Sequence, residues 1–318
     1  MEQSSNPNMG NIYDMIIVGT GFAGYTAGIY ASRYKMKNVI FGDVFGGQTA
    51  EAHIIGNYPG FEEITGPELM NKVRAQTLKL GTEEIMERVT AVTPTERGDV
   101  LKVSTNSGKE YFTHYVLLTI GMKRRKLGVL GEEDFKGKGV TYCATCDGFF
   151  FKNKRVAIVG GGDAATTSAL YMSTIASEVH LIVRKDRLKG ETVWIDQVLA
   201  NPKIKVHFNT TINEIAGTTK VERIKTTGDV PEIELDGVFV EVGSEPDTAF
   251  INELGIKTNE KGFITVDHTQ ATNMPRIYAA GDITANSNNF EQLVTAAGEA
   301  AVATNAIFER LQGERPVN

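Results

Sequence analysis

Cysteine is almost absent from this chain: two residues among 318, Cys143 and Cys146, both in one Cys-Ala-Thr-Cys segment. That excludes a disulfide framework, and in a reducing compartment so close a pair is more often catalytic or metal-binding than structural. Structural zinc would need two further ligands, and the nearest histidine candidate, His114, lies far from any second pair at metal spacing. An excess of positive charge is missing too. With a formal net charge of −6 the chain lacks the basic balance that neutralises phosphates, so a protein or small-molecule partner fits better than a nucleic acid. No membrane span is indicated, and Met1 to Gly10 show neither a basic flank nor an apolar run of signal-peptide length. A cytoplasmic location is the expectation. The five histidines and the single Trp194 match no catalytic pattern. Against these absences stand 41% hydrophobic and 23% charged residues, the composition of a globular protein, over a length that suits two domains.

Glycine marks where those domains carry their sites. Tyr13 to Val18 reads as a buried strand, and it opens directly into Gly19-Thr20-Gly21-Phe22-Ala23-Gly24, followed by helical apolar spacing from Tyr25 to Arg33. A returning strand follows at Val39 to Phe41. The same order recurs later, with strand Arg155 to Val159, turn Gly160-Gly161-Gly162-Asp163-Ala164-Ala165, a helix beginning over Thr166 to Ser173, and strand Val179 to Val183. One glycine-rich turn is weak evidence; two, each between a strand and a helix, point to two bound dinucleotides rather than two structural turns. In such turns the first glycine permits the tight bend, the second lets the backbone approach a pyrophosphate, and the third position lets helix pack on strand. The helix N-terminus then offers amide donors to the phosphates.

The end of the returning strand discriminates between ribose forms, because an acid there bonds a free 2′-hydroxyl and basic residues suit a 2′-phosphate. Arg184, Lys185, Arg187 and Lys189 crowd the end of the second unit, which favours NADPH over NADH, the competing reading being a solvated basic face. In the first unit Asp43 is the only nearby carboxylate.

Just before the second glycine turn lies Thr141-Tyr142-Cys143-Ala144-Thr145-Cys146-Asp147-Gly148. With both fingerprints, this arrangement resembles the low-molecular-weight thioredoxin reductases over nearly the whole chain. The likeness extends to Gly46-Gly47-Gln48, Asn57-Tyr58-Pro59-Gly60-Phe61, Thr119-Ile120-Gly121, Gly243 to Thr248, and Tyr278-Ala279-Ala280-Gly281-Asp282 followed by Gln292. The resemblance implies an α/β chain of two Rossmann-like dinucleotide-binding domains, the second inserted into the first. FAD would occupy residues 1–117 and 248–318, and NADPH residues 118–247, which also carry the Cys-x-x-Cys.

By the same resemblance FAD is held by Gly19, Gly21, Phe22, Ala23, Gly24, Asp43, Gly47, Gln48, Asn57, Thr119, Gly121, Gly281, Asp282, Gln292 and Leu293. NADPH is held by Gly160, Gly162, Asp163, Ala164, Arg184, Lys185, Lys189 and Gly243. Cys146 would face the flavin, Cys143 would attack the disulfide of thioredoxin, and Asp147 would exchange protons with the pair. A homodimer is implied. Arg125 is the matching candidate for docking thioredoxin. Where relatives have His-Arg-Arg this chain has Val183-Arg184-Lys185, and Glu291 replaces an arginine common before the late glutamine. Two alternatives therefore stay open: a related flavoenzyme fed by reduced ferredoxin or another donor, and a flavin-dependent dithiol oxidase.

Overall fold

A computed structural model describes residues 12–96 and 98–314. The chain divides into two compact units, one built from the residues up to Ala50, Gly56–Lys123 and the part from Pro246 onward, the other from Glu51–Ile55 and Arg124–Glu245.

The first unit opens with β1 (Ile12–Val18), α1 (Phe22–Arg33) and β2 (Asn38–Phe41), then α2 (Gly66–Lys79), β3 (Glu83–Ile85), β4 (Val89–Pro94), β5 (Leu101–Thr105) and β6 (Glu110–Leu118). The start of α2 is fixed locally: the Thr65 side chain accepts the Glu68 N–H at 3.3 Å and Pro67 occupies the first turn, where its missing donor costs nothing. Strands β3, β2, β1 and β6 run in that order, the adjacent pairs parallel, and β5 and β4 continue antiparallel. The most apolar strands are those covered on both faces, and β2 is buried at every position.

The short strands β7 (Lys123–Arg124) and β16 (Ser244–Glu245) pair at the entry to and exit from the insert. Within it follow β8 (Val140–Thr141), α3 (Ala144–Asp147), β9 (Arg155–Val159), α4 (Asp163–Ile175), β10 (Glu178–Ile182), α5 (Thr192–Ala200) and β11 (Ile204–His207). Next come β12 (Ile212–Gly217), β13 (Val221–Thr226), β14 (Glu232–Glu234) and β15 (Gly237–Val240). A five-stranded parallel sheet, ordered β11, β10, β9, β15, β8, has a core on each face, and the antiparallel trio β12, β13, β14 covers one of them. The first unit is completed by α6 (Thr248–Glu253), β17 (Ile277–Ala279) and α7 (Leu293–Glu314). β17 adds a parallel strand beside β6, and α7 packs on α1.

Each unit thus contains the same arrangement. Strand order reverses between β1 and β6 in one and between β9 and β15 in the other, and in open α/β sheets such reversals leave a crevice at the carboxyl ends of the strands.

Candidate functional site

In the first crevice the turn after β1 is held by the sheet itself: the Gly19 N–H donates to the Phe41 carbonyl at 2.7 Å and the Thr119 N–H to the Val18 carbonyl at 2.8 Å. Gly19 takes φ +128°, and a Cβ there would lie 2.2 Å from the Thr119 oxygen; one at Gly24 would lie 1.9 Å from the Gly19 oxygen. The fold itself requires these two glycines. Gly21 differs. Its φ of −87° suits any residue, and an added Cβ would meet nothing within 4 Å. A glycine that neither backbone nor neighbours demand keeps open a space at the N-terminus of α1.

Other expected residues gather round that space. Gly47, at φ +52°, approaches so closely that a Cβ on it would lie 3.8 Å from the Gly21 Cα. Gly281 lies against Ala23 of α1 and donates its N–H to Glu299 at 2.9 Å. Phe22 meets Tyr58 edge-on with ring centres 5.1 Å apart. The Asn57 side-chain amide donates to Gln292 Oε1 at 3.0 Å, just ahead of Leu293, the first residue of α7. The Gln48 amide donates to the Met122 carbonyl at 2.8 Å, beside Gly121 at φ +60°. Asp282 is pushed up to about 7, first by burial and then by repulsion from Glu291 and Glu299. Asp43 is instead exposed, with the Arg88 Nε 3.9 Å from its carboxylate.

The second crevice repeats the first. The Gly160 N–H donates to the Ile182 carbonyl at 3.0 Å and the Glu241 N–H to the Val159 carbonyl at 2.8 Å; Gly160 takes φ +149°, and a Cβ there would lie 2.2 Å from the Glu241 oxygen. Gly162, at φ −99°, again has nothing within 4 Å of an added Cβ. Asp163 and Ala164 form the exposed first turn of α4, and the Asp163 carboxylate accepts the Glu191 N–H. The Lys189 N–H donates to the Gly161 carbonyl at 2.6 Å, which brings the basic run back to the turn. Arg184, Lys185 and Lys189 are all exposed beyond β10. The Gly243 carbonyl accepts the Arg125 N–H at 3.0 Å, and the Arg125 guanidinium lies 3.6 Å from the Glu245 carboxylate.

Glu241 was not visible as a site residue in the sequence, where it is one acid in an apolar run. It holds the position in this crevice that Thr119 holds in the other. Its carboxylate accepts Ser168 Oγ at 3.0 Å and Arg124 Nη1 at 3.0 Å, and Arg124 Nε also donates to Glu51 at 3.0 Å. Burial nevertheless dominates and pushes Glu241 up to about 7.

Cys143 and Cys146 form a disulfide across the single turn of α3, with Cα atoms 5.3 Å apart. The Cys146 N–H donates to Cys143 Sγ at 3.1 Å, and the Asp147 N–H to the Cys143 carbonyl at 3.2 Å. Cys143 is 9% exposed, whereas Cys146 is open to solvent. Thr141, at the end of β8, donates its hydroxyl to the Asp147 carboxylate and accepts the Cys143 N–H at 3.3 Å. Thr145 donates to the Glu51 carbonyl at 2.7 Å, and His53, whose pKa burial lowers, stacks on Tyr171 of α4 at 3.8 Å. Beyond α3, Phe149 and Phe150 are 73% and 69% exposed, an apolar pair of the kind that marks a protein contact. The run Phe149-Phe150-Phe151 was the available signal for that pair; for Thr141 there was none.

Two dinucleotide crevices and one redox-capable cysteine pair define a disulfide oxidoreductase of the dinucleotide-dependent class. The model of the pyridine nucleotide-disulphide oxidoreductase family matches residues 13–300. The thioredoxin reductase of Listeria innocua is 38% identical over 298 residues, 92% of each chain, and that of Bacillus subtilis 37% identical over 304 residues, covering 93% of this chain and 94% of its own. The crystal structure of Lactococcus lactis thioredoxin reductase in its FR conformation superposes with a TM-score of 0.89 at 35% identity, covering 95% of this chain and 99% of that one. The chain belongs to the pyridine nucleotide-disulphide oxidoreductase family, and within it to the group of the thioredoxin reductases.

Proposed function

We propose that this protein is an NADPH-dependent thioredoxin-disulfide reductase: two electrons pass from NADPH through FAD to the Cys143–Cys146 disulfide, and on to thioredoxin or a thioredoxin-like protein. The observation that carries the reading is the pair of unforced glycines, Gly21 and Gly162, each at the mouth of a crevice in a chain whose only cysteines form a Cys-x-x-Cys disulfide. Residues 1–117 and 248–318 are assigned to FAD, and 118–247 to NADPH and the dithiol. The group of Gly19, Gly21, Phe22, Ala23, Gly24, Gly47, Gln48, Asn57, Thr119, Gly121, Gly281, Asp282, Gln292 and Leu293 fits a dinucleotide, since backbone there lies open at a helix start. Asp43 joins them only as a ribose partner at the crevice rim. Bound FAD supplies the two-electron relay between a nicotinamide hydride and a disulfide.

In the second crevice Gly160, Gly162 and the first turn at Asp163 and Ala164 hold the pyrophosphate, Gly243 lines the opposite lip, and Arg184, Lys185 and Lys189 take the 2′-phosphate. At the dithiol, accessibility supports a division of work different from the one the resemblance implied. Exposed Cys146 makes the attack on the partner's disulfide, and shielded Cys143 closes the enzyme disulfide again by attacking Cys146 Sγ and releasing the partner. The Cys146 N–H helps hold the negative charge that develops on Cys143 as this sulfur gives up its proton to attack. Asp147 carries protons between the enzyme sulfurs and the departing thiolate, and Phe149 and Phe150 form an apolar rim for the partner. A cytoplasmic homodimer is the form in which we expect it to work.

The test is steady-state oxidation of NADPH with and without an oxidised bacterial thioredoxin. Turnover that depends on thioredoxin and disappears in Cys146→Ser supports the reading; turnover with oxygen alone, indifferent to thioredoxin, supports a dithiol oxidase instead.

A further inference from the structure

The hydroxyl of Thr141 touches both the disulfide turn and the acid beside it. Its backbone is fixed in the parallel sheet, where β8 pairs with β15 and Thr141 lies opposite Phe239. Its side chain is buried, at 9% exposure, with the hydroxyl donating to the Asp147 carboxylate and accepting the Cys143 N–H at 3.3 Å. The Asp147 N–H closes the ring on the Cys143 carbonyl at 3.2 Å. Asp147 itself is half-buried on the last residue of a single-turn helix, an element too short to fix a side chain through its own packing.

We propose that Thr141 is a positioning residue for disulfide exchange: from the rigid end of β8 it aims the Asp147 carboxyl at the sulfurs of the Cys143–Cys146 turn. The proposal rests on the reading of Asp147 as the proton carrier. In exchange with a protein disulfide, the Cys146 thiolate forms a bond to one partner sulfur as the partner S–S bond breaks, and the other partner sulfur leaves as a thiolate. Cys143 gives its proton to Asp147 and attacks Cys146 Sγ, which breaks the mixed disulfide. The proton on Asp147 passes to a departing partner thiolate, and solvent supplies the second, matching the one released earlier from Cys146. The enzyme is oxidised to the disulfide and the partner is reduced to the dithiol. Each transfer needs the carboxyl within hydrogen-bond reach of sulfur, and an acid placed about 1 Å away from its productive position costs on the order of a hundredfold in rate.

The role makes a test possible that a merely structural threonine would fail. Holoenzyme reduced anaerobically with dithionite is mixed with oxidised Bacillus subtilis thioredoxin, and single-turnover exchange is followed for wild type, Thr141→Val, Thr141→Ser, Asp147→Asn and the double variant Thr141→Val/Asp147→Asn. Thr141→Val, which keeps shape but cannot donate, is expected to slow exchange roughly tenfold or more and to raise the solvent deuterium isotope effect, while Thr141→Ser recovers most of the rate. In the Asp147→Asn background the valine is expected to cost no more than about twofold, because residues acting as one unit are not additive. A Thr141→Val rate equal to wild type, or a full tenfold penalty retained in the Asp147→Asn background, overturns the positioning role and leaves Asp147 standing. Wild-type exchange by Asp147→Asn overturns both.

Discussion

The backbone N–H of Cys146 points at the Sγ of Cys143 from 3.1 Å, so the more buried sulfur of the pair is also the one with a built-in hydrogen-bond donor. The outer sulfur is free to approach another protein and the inner one is equipped to carry charge. This asymmetry predicts which single variant traps a partner. Cys143→Ser, retaining the exposed Cys146, should accumulate a stable mixed disulfide with a thioredoxin variant that keeps one cysteine of its pair and carries it as the thionitrobenzoate disulfide: thionitrobenzoate leaves, and no second thiol on either protein remains to resolve the bond. Cys146→Ser should accumulate little. Non-reducing electrophoresis after mixing with that activated single-cysteine thioredoxin reads the difference, and trapping through Cys143 alone would reverse the assignment.

The glycines of the two turns are predicted to separate fold from ligand. Gly21→Ala should leave the unfolding free energy of the protein within about 1 kcal/mol of wild type while the purified protein loses its flavin, since apart from its chain neighbours no described atom lies within 4 Å of the added carbon. Gly162→Ala should keep flavin and lose affinity for the nicotinamide nucleotide. Gly24→Ala, where the new carbon would sit 1.9 Å from the Gly19 oxygen, should fail to accumulate folded protein. Absorbance spectra and denaturation curves of the three variants decide this, and a yellow Gly21→Ala protein would count against the first crevice as the flavin site.

The exposed cations after β10 should discriminate between nicotinamides. Arg184→Ala and Lys185→Ala are each expected to raise KM for NADPH roughly tenfold, the loss of one charge-assisted contact, and to leave KM for NADH within about twofold. Equal effects on both nucleotides would make the run a solvated face.

Glu241 gives the second unit a pH dependence of known sign. Its folded pKa, about 7, lies above the ordinary 4.5, so between those values the folded protein binds a proton that the unfolded chain releases. Stability of this unit should therefore fall as pH rises from about 4.5 through 7, by on the order of 3 kcal/mol from this group. Glu241→Gln removes that dependence; Arg124 retains its bond to Glu51. Trp194, the single tryptophan, lies on α5 of the same unit and reports its unfolding in urea. A slope unchanged by Glu241→Gln would show that Arg124 already keeps the acid ionised.

Much of this was legible in the sequence, and for identifiable reasons. Strand–glycine–helix junctions depend on local backbone demands, so both turns and their strands lie where the pattern put them. The helices begin earlier than the apolar spacing suggested, at Phe22 and Asp163 instead of Tyr25 and Thr166, because the last residues of each glycine turn already form the first helical turn. What local pattern does not encode is which distant side chains meet. Glu51–Ile55 grouping with the second unit, through His53 on Tyr171 and Thr145 on the Glu51 carbonyl, has no periodicity to announce it. The same holds for Thr141 on Asp147 and for Glu241 beneath α4.

The most direct test of the account is an anaerobic titration of the purified yellow protein with NADPH and, separately, NADH, following flavin bleaching and then adding oxidised thioredoxin. The account predicts that NADPH bleaches the flavin rapidly, that NADH does so poorly, and that thioredoxin restores the colour. A flavin that neither nicotinamide bleaches, but that dithionite reduces and thioredoxin then reoxidises, would contradict NADPH as the donor and point to a ferredoxin or another reductant.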